Sequence, residues 1–394
     1  MPPSPISTGR NANTETSIHH PLTAPPTTTT AGVALYLPRG PILNDPHQDA
    51  SNVSILQSIL PYHVVQVNYR CGTSNKYPTP IHDVATGYDW IVSHLLPKRA
   101  IARAGRSEHV GRIAVCGELV GGQLATMLAL TECRAGEPGV VAAAVGNAIV
   151  DWVAFQNEEA QVWSPVKKSP LPTTTTTPSN TALTTAILAR LRAQLFRKSA
   201  QYYDPFASPA LFFRTAGSEI PEDVDVDVEG EEEEEEEEEE KGPLDDFDEL
   251  ARFERGDFLR EQRALSAVRG LLEPSLLSDG VVPPAKKRKT SRRYPSKALG
   301  LRLPRFLLSA GVASPLSSQS EELAHLLRQS FARQAKSAGS KGYYDDEDDG
   351  GGSDVSEDMV RHEQYPGLGL WDNSQAGRSR MRAAASWMAS ALAR

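Results

Sequence analysis

Ile113-Ala114-Val115-Cys116-Gly117-Glu118-Leu119-Val120-Gly121-Gly122-Gln123-Leu124-Ala125 passes from a short apolar run, through a turn flanked by glycines, into a helical period. Ile113 to Cys116 reads as a buried strand, and Leu124, Met127 and Leu128 recur on one helix face. A strand, a tight glycine-flanked turn and a helix together form a sharp corner. The glycines let backbone atoms crowd while the central residue, Leu119, points out over the sheet edge.

The same alternation runs outward on both sides. Residues 33–37 and 63–69 are apolar strand candidates, with Val84, Tyr88, Ile91 and Leu95 at helical spacing before Pro97. Residues 140–150 read as a fourth strand. After a long break the rhythm resumes: Phe306-Leu307-Leu308 reads as a strand, and Leu323, Leu327 and Phe331 as a helix face. Residues 359–362 and 379–393 read as a last short strand and a closing helix. Strands alternating with helices predict an α/β fold with a doubly wound, mostly parallel sheet.

Four stretches fall outside that rhythm. Residues 1–31 are rich in Thr, Pro and Ser and read as a disordered tail. Residues 156–302 read as a long, largely disordered insertion between two parts of one core, 32–155 and 303–394. The insertion contains a Thr/Pro tract, a helix candidate at 181–198, ten consecutive glutamates at 231–240, an amphipathic stretch at 247–272 and a basic cluster. Ten like charges repel one another and bury nothing. Residues 337–357 form a second acidic loop.

Length and charge narrow the class. The chain has 394 residues, and 39% hydrophobic composition permits a sizeable core. The formal charge of −9 is an average over unlike parts. Residues 219–249 hold 20 acids and one basic residue, which leaves 40 basic against 30 acidic residues elsewhere. Three cysteines, Cys71, Cys116 and Cys133, make no disulfide framework and no zinc spacing, so no metal is expected and a reducing, cytoplasmic setting is. The N-terminus lacks the apolar centre of a secretory signal, and no apolar run is long enough to span a bilayer, so a soluble intracellular protein is expected.

The glycine-flanked corner is the setting of a nucleophile elbow. Here the chain resembles the α/β-hydrolase fold-3 family, the hormone-sensitive-lipase-like esterases, whose elbow reads GDSAGG. The resemblance continues through Asn68-Tyr69-Arg70, Tyr77-Pro78, Pro80, Asp83, Tyr88 and Trp90, and through residues 304–327. It covers roughly 32–155 and 303–393, and it implies a carboxylic-ester hydrolase with no cofactor. The family's functional residues do not carry over. Leu119 stands at the nucleophile position and Ser314 at the acid position. Tyr365-Pro366-Gly367 matches the turn before the base and puts Leu370 at its position. The oxyanion-hole segment reads Pro38-Arg39-Gly40-Pro41, and Pro41 has no N–H to donate, which leaves Gly40 and Val120 as remnants. The resemblance therefore implies a hydrolase fold, and the residues imply a pseudoenzyme acting by ligand or partner binding. The alternative is an active ester hydrolase using non-standard residues.

Several residues have a plainer reading beside a functional one. His362 is the candidate for a displaced base, against an exposed histidine beside an acidic loop. Glu118 reads as a polar residue bonded to nearby loop backbone, Cys116 as an inert core thiol, Asp151-Trp152 as a structural corner, and Asp83 as the cap of the helix it opens. At Leu119 the expectation is a relaxed turn and a filled pocket. Lys286, Lys287, Arg288 and Lys289 read equally as a nuclear-import signal or as charge pairing with the glutamates. No aromatics are interleaved with them, so nucleic acid is not the expected partner. A small apolar ligand or ester, and a protein bound through the insertion, are.

Overall fold

The computed structural model describes residues 4–7, 15–21, 32–41, 43–96, 111–155, 183–220, 289–339 and 358–393. They lie in the first of two units, formed by 1–223 and 287–394. In chain order the elements are β1 Ser4–Ser7, β2 Glu15–His19, β3 Gly32–Leu37, α1 Pro46–Ile59, β4 His63–Asn68, α2 Thr79–His94, β5 Arg112–Glu118, α3 Leu119–Thr131, β6 Gly139–Gly146, α4 Thr185–Leu195, β7 Arg305–Gly311, α5 Ser317–Gly339, β8 Val360–Tyr365 and α6 Gln375–Ala393.

The strands form one eight-stranded sheet in the order β1-β2-β4-β3-β5-β6-β7-β8. β3 to β8 are mutually parallel, while β1 and β2 add antiparallel at one edge. The chain runs from β3 outward to β4 and returns to β5 on the other side of β3. Strand order reverses there, and the carboxyl ends of β3 and β5 leave a crevice at such a switch point. Alternation along the strands gives the sheet two apolar faces. Val33, Leu35, Val65, Ile113, Val115 and Leu308 pack with α3 and α5 on one face. Ala34, Tyr36, Val64, Cys116, Ala144 and Leu307 pack with α1 and α6 on the other.

The expected α/β rhythm is present, with differences that have physical causes. The tail reading of 1–31 does not hold at 4–7 and 15–19: Thr16, opposite Val67, is fully buried, so β2 extends the sheet beyond β4. Helix α1 was not anticipated, because its first half buries Gln48, Asp49 and Asn52, and only its second half buries apolar residues, Val53, Ile55 and Leu56. Its start is nevertheless written in Asp45-Pro46: Asp45 caps by accepting from the His47 N–H at 3.0 Å, and Pro46 fills the first turn. The fourth strand ends at Gly146 rather than at 150, since Asn147 turns the chain at φ +43°.

The insertion is not uniformly unstructured. Residues 183–220 and 289–302 are described, and α4 buries Leu188, Leu191 and Leu195. Thr184 caps this helix by accepting from the Ile187 N–H at 3.3 Å. The glutamate run and the 247–272 stretch lie outside the described residues, as do residues 340–357 of the second acidic loop. No helix among the described residues is long and apolar enough to cross a membrane.

Candidate functional site

Leu119 is the first residue of α3, directly after β5, and its φ is +52°. The expected relaxed turn is therefore corrected: a branched residue occupies a left-handed conformation that costs about 1–3 kcal/mol. The surroundings leave no other path. A Cβ added to Gly121 would lie 2.2 Å from the Pro38 carbonyl oxygen, and one on Gly117 would lie 2.6 Å from the Gly121 backbone. One on Gly122 would meet the Ala148 Cβ at 3.1 Å. These glycines let the end of β3 and the first turn of α3 touch backbone to backbone, and that contact holds Leu119 at the apex. The leucine is fully buried and belongs to the same apolar cluster as Leu124, Ile149 and Leu370.

Gly40 and Val120 lie side by side. Gly40 sits at φ +86°, and a Cβ there would lie 3.0 Å from the Val120 Cβ and 3.1 Å from the Tyr69 hydroxyl. Tyr69 donates to the Pro38 carbonyl at 2.6 Å, which pins the segment.

Below the apex lies a polar network that sequence reasoning did not foresee. Glu118 is bonded to loop backbone, as read, and beyond that it is buried and ion-paired to Arg39 at 2.6 Å. Its other oxygen accepts from the Trp371 N–H at 2.7 Å. Arg39 also donates to Gln48 Oε1 at 2.9 Å, and Gln48 donates to the Trp371 carbonyl. Tyr36 donates to Asp49 at 2.6 Å and accepts from Asn52 at 3.2 Å. Burial pushes the Glu118 carboxyl up, against the pull of Arg39 and the Trp371 N–H. Burial also opposes the Arg39 charge, but Glu118 outweighs it and the net shift is upward. The sequence signal was present: an arginine replaces a small residue at position 39, and polar residues recur at 48, 49 and 52 on one side of a helix.

Glu118 therefore fastens the loop that carries Leu370, whose neighbour Trp371 it binds. Asn147 fastens the same loop from the β6 end. It donates to the Leu368 carbonyl at 3.0 Å and accepts from the Gly311 N–H at 3.3 Å. Leu370 is buried beside the elbow, with no atom that takes a proton. Ser314 is buried in the turn after β7, where its hydroxyl accepts from the Leu316 N–H at 3.2 Å. It serves that turn and offers no carboxylate.

His362 is brought to none of these. It lies on β8 opposite Leu308, and Glu118 runs level with Gly146, Ser309 and Glu363 across the sheet. Three strand spacings of about 4.8 Å put it roughly 14 Å from the elbow. It is half-buried, not exposed, and its pKa is lowered by burial and then by Arg328, partly offset by Glu321. Asp83 is also corrected. It does not cap α2 but binds Arg70 at 2.8 and 3.0 Å from within the helix. Asp151 is the expected corner: it pairs with Arg214 at 2.6 Å and holds the Val153 N–H at 3.0 Å. Cys116 is buried, and burial pushes its thiol up.

Of the basic cluster, Lys286, Lys287 and Arg288 lie outside the described residues. Lys289 faces Glu322 at 3.6 Å. Among the described residues no group of three or more His, Cys, Asp or Glu is placed to hold a metal.

A family model described as alpha/beta hydrolase fold matches residues 40–220. Among solved structures the chain is similar to carboxyl esterase 2 of the mycorrhizal fungus Tuber melanosporum, at 10% identity and TM-score 0.53 over 99% of this chain and 85% of that one. It is similar to a thermostable esterase of Pseudomonas putida, at 14% and 0.52 over 99% and 82%. Esterase LipW of Mycobacterium marinum gives 14% and 0.51 over 99% and 82%. No curated protein matches the chain. At these identities the structural likeness speaks for the fold alone. The parallel sheet with its reversal at β3, the crowded glycine corner after β5, the solved structures and the family model over 40–220 agree: the chain has the α/β-hydrolase fold.

Proposed function

We propose that this protein keeps the hydrolase scaffold without ester turnover and acts by binding, its ligand small and apolar or its partner a protein that meets the charged insertion. The observation that carries the reading is Leu119: fully buried, at the elbow apex, in the backbone conformation that elsewhere presents a nucleophile. Leucine has no atom that attacks a carbonyl. Leu370 cannot accept a proton, and Ser314 cannot hold an imidazolium by charge. In a serine hydrolase, loss of the nucleophile or of the base alone costs about 10⁶ in kcat. Gly40 and Val120 then have no oxyanion to serve. The fold's relatives named esterases make a carboxylic ester the natural ligand class for what remains of the site. The free thiols Cys71, Cys116 and Cys133 support an intracellular setting, and the basic residues from Lys286 to Lys289 support nuclear entry.

The test is hydrolysis of short-chain p-nitrophenyl esters by the purified protein and by Leu119→Ser. The reading expects no turnover above buffer from either, since restoring a hydroxyl does not restore acid or base. Turnover by Leu119→Ser alone would show that acid and base survive at other positions. Turnover by the natural protein would establish the alternative, an ester hydrolase with non-standard residues.

A further inference from the structure

The N-terminal strand pair is fastened to the sheet at a point where two histidines meet. β2 pairs with β4 through five registered residues, from Glu15 opposite Asn68 to His19 opposite Val64. Just beyond that ladder the rings of His20 and His63 stand edge to face, 5.2 Å between centroids. The Gln57 side chain of α1 donates to the His20 carbonyl at 2.8 Å and holds that backbone in place. His19 Nε2 and His63 Nδ1 are both buried without a hydrogen-bond partner, so neither ring has an acceptor waiting for an added proton at that atom. A protonated ring at either place is therefore poorly solvated.

We propose that His19 and His63, the latter packed against the His20 ring, form an acid-sensitive latch that holds β1 and β2 on the sheet at neutral pH and releases them on mild acidification. The other titratable groups nearby do not counter such a charge. On β2, Glu15 sits at the opposite end of the ladder, and residues 4–7 of β1 include no titratable side chain. On α1, Asp49 is bound to Tyr36, and Asp45 and His47 lie at the far start of the helix. On α2, Asp83 is bound to Arg70, while His82, Asp89 and His94 are exposed. β3 carries no charged residue, only the Tyr36 phenol already bound to Asp49. Burial first, and His20 second, lower the pKa of both His19 and His63, in the direction the latch requires.

The sign follows. A histidine held below its ordinary value of about 6.5 stabilises the native arrangement above that pH and loses the contribution as pH falls through its folded value. β2 meets its only parallel-sheet neighbour along one edge, so the strand pair is the unit that opens.

Hydrogen exchange on the full chain at pH 7.5 and pH 5.0, corrected for intrinsic rates, tests this. Amides of residues 15–19 should lose protection by about threefold or more at pH 5.0, while those of β5 keep theirs. The double variant His19→Gln, His63→Gln should hold 15–19 within about twofold across the same interval. Its melting temperature at pH 7.5 reports whether it folds, and His63→Gln alone, with a smaller loss than the natural protein, gives the comparison if the double variant does not. Unchanged protection of 15–19 in the natural protein, or an equal loss in the variants, would overturn the proposal.

Discussion

The Arg39–Glu118 and Arg214–Asp151 pairs are both buried at the carboxyl edge of the sheet, and they hold different things. Arg39 and Glu118 have each other, with Gln48 and one backbone N–H completing the site. Between them they tie the end of β3, the elbow and the loop after β8. Arg214 has two carboxylates, Asp151 at 2.6 Å and Glu322 at 2.7 Å, and Glu322 is partly exposed. It ties the segment following α4 to the β6 corner and to α5. The first pair is closed and has no spare partner; the second is shared and borders water. A charge that loses its partner is therefore stranded in one place and rescued in the other.

Arg39→Ala should give the largest effect, about 3–5 kcal/mol lost in chemical denaturation, because Glu118 is left buried and unpaired. Asp151→Ala should cost less, about 1–3 kcal/mol, since Arg214 keeps Glu322 and the main loss is the bond to the Val153 N–H. Equal losses would mean that Glu322 gives Arg214 no rescue, and the contrast between closed and shared pairs would fall.

The elbow sharpens the same contrast at the level of the backbone. Both Leu119→Ala and Leu119→Gly remove a buried side chain, at about 2–5 kcal/mol. At an ordinary helical position glycine would be the worse of the two by about 1 kcal/mol. At φ +52° the order should reverse, with Leu119→Gly more stable than Leu119→Ala by about 1 kcal/mol. The usual order in urea unfolding would show that the turn relaxes once the leucine is gone.

The smallest expected effect concerns pH. Burial and Arg328 hold His362 below the ordinary histidine value, so the native state favours the neutral ring. Its stabilising share is present above about pH 6.5 and is lost as pH falls through the lowered folded value. His362→Gln should shrink the drop in melting temperature between pH 7.5 and pH 5.5 by on the order of 1 °C, leaving the shares of His19 and His63. An unchanged drop would mean that His362 is protonated alike in both states.

The parts of the molecule legible in the sequence share a cause. Strands β3, β5, β6 and β7 are buried on both faces, so each appears as an apolar run, and the glycines at 117, 121 and 122 announce a backbone contact that only glycine permits. Leu119 could be placed because those glycines bracket it. What escaped notice rests on polar burial. α1 turns Gln48, Asp49 and Asn52 inward toward Arg39, Tyr36 and Trp371, so no apolar period marks its first half. Glu118 binds a residue 253 positions away, a partnership that no local pattern encodes. His362 seemed available as a base by its distance along the chain; the strand order, which local pattern does not reveal, puts three sheet positions between it and the elbow.

The central claim, that the apex holds no nucleophile, is tested most directly by intact-mass analysis after treatment with a fluorophosphonate probe. The account predicts an unlabelled natural protein under conditions that fully label a serine esterase. A stoichiometric adduct, mapped by peptide to a serine of the chain, would contradict it.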